Sequence, residues 1–159
     1  MFIASSVDLY EDPCPIVIME KTGSVMKCVY EKRNPYLIAQ YLEEIASEHD
    51  KIMFCAITED SAASFPDIVD CLTRARIIVK KYWHVDVLRI KNALRDLRTD
   101  LPFSAYCLAK LVQQEALDLC TFRDEINQIY CLRAELDKIL LSLMTFRAFP
   151  DDYRIIRPK

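Results

Sequence analysis

One glycine, Gly23, serves all 159 residues of this chain, where average usage of about 7% would supply roughly eleven. Glycine reaches positive φ without strain and lets a backbone approach a phosphate closely. A chain with one of them cannot build a Walker A loop, a dinucleotide-binding GxGxxG turn or a GxSxG nucleophile elbow. The same scarcity favours helices joined by short, tight links.

Length and composition point to one compact domain over 1–159, divided into a β-β-α-β part (1–60), a helical part (61–149) and a tail (150–159). The hydrophobic fraction of 52% and charged fraction of 28% are those of a chain that folds. No apolar run approaches the ~20 residues that span a bilayer, and the start, MFIASSVDLYEDPCP, lacks a basic signal-peptide region. Seven cysteines, an odd number set mostly among apolar neighbours, suit buried thiols in a reducing compartment. The expected location is cytoplasmic, with the nucleus as alternative, and not secreted.

PIVIME and VMKCVY form a hairpin around Gly23. Asn34-Pro35 starts a helix that ends near His49-Asp50, and Lys51 to Glu59 holds a continuous apolar strand. Ser64 and Asp67 stand in capping-box relation. From Ile68 to Leu101 apolar residues recur every three or four places, which predicts one long helix or two with a break near His84-Val85; a strand through Ile77 to Tyr82 is the rival. Two further helices follow, recapped at Thr121 to Asp124. The expected fold is α+β, a small N-terminal sheet packed with a larger C-terminal helical layer, and a mainly helical bundle is the alternative.

Charge is segregated. Between Leu72 and Thr99 stand eight basic residues (Arg74, Arg76, Lys80, Lys81, Arg89, Lys91, Arg95, Arg98) against Asp86 and Asp96, while the other residues are strongly acidic and the whole chain carries −3. On a helix at about 100° per residue, Lys80, His84, Lys91, Arg95 and Arg98 fall on one stripe, with Lys81 and Arg74 beside it. Such a stripe can be a solvated face, a contact for an acidic protein, including a second copy of this chain, or a track for a phosphate backbone. Trp83 next to His84 reads either as a stacking pair for a base or, continuing Val79, Val87 and Ile90, as core.

Catalytic chemistry finds little support. The chain has no C-x-x-C and no H-x-x-x-H, so no metal site and no cofactor are expected. A Cys/His dyad would need His49 or His84, and neither stands in a recognisable context. A heptad run, Ile126, Ile129, Arg133, Leu136, Leu140 and Leu143, either packs within the domain or forms an oligomer seam. The leading expectation is therefore a non-enzymatic protein-protein interaction module, an adaptor, regulatory or assembly subunit, with RNA or DNA binding through the basic face as the alternative and a cysteine-dependent enzyme as the third. No membrane partner is expected.

Overall fold

The computed structural model describes residues 2–96 and 99–127, with side chains described as far as Cys120. Its elements run β1 (Phe2–Val7), β2 (Cys14–Glu20), β3 (Val25–Glu31), α1 (Pro35–His49), β4 (Ile52–Thr58), α2 (Glu59–Ser64), α3 (Pro66–Arg74), β5 (Ile78–Tyr82), α4 (His84–Ala93) and α5 (Phe103–Asn127). They form a five-stranded sheet in the order β3-β2-β1-β4-β5. β1 pairs antiparallel with β2, and β2 with β3, whereas β1, β4 and β5 are mutually parallel. The fold is α+β, as expected, with a sheet two strands larger than the sequence suggested.

Each face of the sheet carries its own core. Phe2, Ala4, Val17, Met19 and Phe54 pack with Leu108, Val112 and Ala116 of α5. On the other face Ile3, Val7, Ile16, Ile18, Met53 and Ile57 meet Ile38 and Leu42 of α1 and Ile68 and Leu72 of α3. Burial on both faces explains why β1, β2 and β4 read as apolar runs with no alternation.

Local chemistry sets several boundaries. The Asn34 side chain accepts from the N–H groups of Tyr36 and Leu37, with Pro35 preset at the first helical position. At the far end of α1, Asp50 takes a left-handed conformation at φ 48°, which asparagine and aspartate tolerate better than most residues. Gly23 has φ +94° in the β2–β3 turn, where Gln113 of α5 donates to the Lys21 carbonyl at 2.6 Å. The lone glycine thus shapes the turn by which the hairpin docks on the long helix.

Four expectations fail on particular residues. FIASSV, Phe2–Val7, assigned to no element, is a central strand. Ile78–Tyr82 is a strand and α4 begins only at His84, because the β-branched run Ile77-Ile78-Val79 suits a buried pleat better than a helix. Ser64 and Asp67 make no capping box; α3 has no side-chain cap, and Thr58 caps α2 instead. The helix α5 continues through Thr121 to Asp124 without a break. The supposed seam from Ile129 to Leu143 and the tail from 150 lie outside the described residues.

The topology has one consequence for function. β3 runs parallel to β1 because two antiparallel steps separate them, so the carboxyl ends of β1, β3, β4 and β5 share one edge. The connection from β3 through α1 carries the chain across to β4, on the other side of β1. In such sheets the crevice outside the carboxyl ends, where the strand order reverses, is where ligands bind.

Candidate nucleic-acid interface

The basic stripe dissolves when Ile78–Tyr82 is a strand. Successive strand residues point to opposite faces, so Lys80 turns toward α5 and Lys81 away from it. Lys80 is buried, with 7% of its side chain exposed, and its Nζ lies 3.7 Å from a Glu115 carboxylate oxygen. The Tyr82 hydroxyl donates to the other oxygen of Glu115. A buried lysine needs such a partner, since an unpaired ammonium in an apolar layer is costly. Lys80 therefore joins the sheet to α5 and takes no part in an open face.

The other members are scattered. Arg74 sits exposed at the end of α3, 3.7 Å from Asp70. Lys81 and Lys91 are half-buried, His84 and Arg95 are exposed, and Arg98 lies outside the described residues. Asp86, one of the two acids in that segment, is buried in the first turn of α4 and accepts from Arg89 at 3.2 Å, where the helix dipole favours an anion.

Trp83 changes role. It was expected to continue the stripe of Val79, Val87 and Ile90, yet it is the first residue past β5 and is 49% exposed. Val85 and Leu88 on α4 are also exposed, at 61% and 46%. His84 with Leu88, and Val85 with Arg89, are spaced by four and share helix faces. The carboxyl end of β5 thus presents an indole, an imidazole, two aliphatic side chains and the largely exposed Arg89 guanidinium. The missed signal was Ile77-Ile78-Val79, which, read as a strand, places Trp83 at its open end.

A second feature of the same edge left no local signal, because its parts are far apart in sequence. A cleft of about 180 Å³ opens between Leu9, Arg33, Pro35, Ile38 and the α2–α3 junction, Ser64 to Ile68. Arg33 lies over the Phe65 ring at 4.7 Å and donates from Nη1 to the Leu9 carbonyl at 3.1 Å. Tyr10 approaches Phe65 edge-on, with ring centroids 6.5 Å apart. Two acids of the loop beside them are hydrogen-bonded to backbone: Asp8 accepts from the Tyr10 N–H and Asp12 from the Arg33 N–H, both at 3.1 Å.

Thiol chemistry gains no support from the surroundings of Cys14, Cys28, Cys55 and Cys107. Burial pushes the Cys14 thiol up to about 11, with Asp12 adding to it, and burial pushes Cys55 up to about 12. Cys28 and Cys107 are raised as well, again by burial. A nucleophilic cysteine needs the opposite shift. Among the described residues, no three His, Cys, Asp or Glu side chains converge to hold a metal ion, and no helix is long and apolar enough to cross a membrane.

No protein-family model and no curated protein matches this chain. Two solved structures are similar in arrangement. Thermus thermophilus RuvC in complex with a Holliday junction substrate is 11% identical, with a TM-score of 0.48 over 74% of this chain and 94% of the other. Thermus thermophilus RuvC alone is 12% identical, with a TM-score of 0.47 over 72% and 93%. The expectation of a non-enzymatic protein-interaction module acting through a basic helical face is corrected here: Ile78–Tyr82 is a strand and Lys80 is buried against Glu115, so the helical stripe does not exist.

Proposed function

We propose that this protein binds single-stranded nucleic acid at the carboxyl edge of its sheet, with Trp83 as a stacking platform for a base. The observation that carries the reading is the half-exposed Trp83 at the open end of β5, flanked by His84, Val85, Leu88 and Arg89. Every base has a flat face, and stacking on an aromatic side chain contributes about 1–3 kcal/mol per base with little sequence preference. His84 and Arg89 supply donors for the phosphate on either side, and Lys81 lies on the adjoining strand.

Because few cations stand at this corner and the chain carries −3, stacking outweighs counterion release in this binding mode. The affinity then falls only shallowly with salt, since the slope scales with the number of phosphates neutralised. Trp83 is the chain's one tryptophan, so its fluorescence reports on this site alone. Titration with mixed-sequence oligonucleotides at low salt should quench that emission saturably. Unchanged emission at every oligonucleotide concentration, with no shift in the anisotropy of a labelled strand, would sink the proposal.

A further inference from the structure

We infer that the cleft bounded by Arg33, Phe65 and Tyr10 is a second base-binding subsite, so that one strand of nucleic acid lies along the carboxyl edge from Trp83 to Tyr10. The inference rests on the reading of Trp83 as a stacking platform and gives that site a length and a direction.

Three observations support it. The cleft and Trp83 share an edge by topology, since Leu9 follows β1, Arg33 follows β3, Ser64 to Ile68 follow β4 and Trp83 follows β5. Its chemistry suits a base: Leu9, Ile38 and Ile68 make an apolar floor, and Arg33 over Phe65 offers a planar cation. Arginine planes and aromatic rings are the surfaces on which splayed bases stack. Ser64 and Asp67, both exposed on the lining, can accept from a base N–H, such as the ring N–H of thymine. Tyr10, 57% exposed, supplies a further ring at the rim.

The volume is informative too. About 180 Å³ falls below the range of roughly 300–1,000 Å³ typical of clefts that enclose drug-sized ligands. The cleft admits one ring system and leaves the sugar and phosphate outside, where Arg33 can meet the phosphate. The nearby acids fit this arrangement, because Asp8 accepts from the Tyr10 N–H of its own loop and Asp12 from the Arg33 backbone N–H. Two strand spacings of about 4.8 Å separate the ends of β1 and β5, and a stacked strand advances about 3.4 Å per nucleotide, so the path covers about four nucleotides.

The test follows Trp83 emission in the whole protein while the length of an oligothymidine probe is varied. In the wild type, affinity should rise at least tenfold between two and about five nucleotides and then level off. The double variant Tyr10→Ala, Arg33→Ala should quench to the same amplitude with every probe, yet bind the longer ones no better than the dinucleotide. Tyr10→Ala alone, at an exposed position, should lose part of the gain and exclude misfolding as the cause. Length-dependent affinity that survives in the double variant overturns the second subsite and leaves the Trp83 reading standing. Absence of quenching at every length overturns both.

Discussion

β4 and β5 lie side by side in parallel register, Phe54 opposite Ile78 and Thr58 opposite Tyr82, yet they are stabilised by different means. β4 is IMFCAIT, central in the sheet and buried from Ile52 to Ile57. Apolar contact on two faces holds it. β5 is IVKKY, an edge strand that is almost as buried although two of its five residues are lysines. Ile78 and Val79 pack into the two cores, and Lys80 and the Tyr82 hydroxyl are accommodated because α5 brings Glu115 to them. The first strand buries apolar side chains only, whereas the second adds to the packing of Ile78 and Val79 a polar link to one carboxylate.

Phe54→Ala should have the largest effect. The ring is fully buried, stands edge-on to Phe2 at 5.6 Å, and leaves a cavity that two packed layers cannot close. The loss of stability should be about 3–5 kcal/mol, read as a lower midpoint in chemical denaturation. A loss under about 1 kcal/mol would mean that the two-faced core does not exist as described.

Glu115→Ala should come next, at about 1–3 kcal/mol, because it strips Lys80 and Tyr82 of a partner without removing apolar contact. Glu115 is partly exposed, at 29% of its side chain, which keeps the effect below that of a fully buried pair. Glu115→Gln keeps an acceptor for the Tyr82 hydroxyl and should recover part of the loss. If Glu115→Ala costs nothing, the account of β5 is wrong, and hydrogen exchange of its amides would show it by remaining as slow as in the wild type.

The two strands also explain what could be read in advance. IMFCAIT reads as a buried strand because an uninterrupted apolar run between a helix end and a cap admits few alternatives. The hairpin around Gly23 and the Asn34-Pro35 start are equally local, and the structure has both. IVKKY resists reading because the burial of its Lys80 depends on Glu115, 35 positions further on, which no periodicity reveals. Once Ile77 to Tyr82 is taken as helix, Lys80, Lys81 and His84 line up on a false stripe and Trp83 turns inward. Tyr10, Arg33 and Phe65 stayed hidden for a similar reason: only the crossing of α1 brings three separate loops to one edge.

A smaller loss should appear at alkaline pH, and β2 and β4 carry the largest part of it. Burial raises Cys14 to about 11 and Cys55 to about 12 from the ordinary 9.0. The folded-state values lie above the unfolded one, so the folded state holds these protons more tightly. That contribution is complete below pH 9 and is lost as the pH rises through 11 to 12. Denaturation midpoints should hold steady up to pH 9 and fall beyond it, and Cys55→Ala should make the fall shallower. β5, with no cysteine, should not change this profile when Lys81 is replaced by Ala.

Trp83→Ala should have the smallest effect on stability, within about 0.5 kcal/mol, because a half-exposed residue past the end of an edge strand leaves no cavity. The same substitution should have a large effect on binding: anisotropy of a labelled oligonucleotide should show affinity lowered about tenfold, the worth of one stacked base. Phe54→Ala and Trp83→Ala then form a crossed pair. A residue in the middle of the sheet determines stability, and a residue at its carboxyl edge determines recognition. Were Trp83→Ala instead to destabilise the fold by 2 kcal/mol or more, the indole would be core after all, and the carboxyl edge would lose its claim as the site.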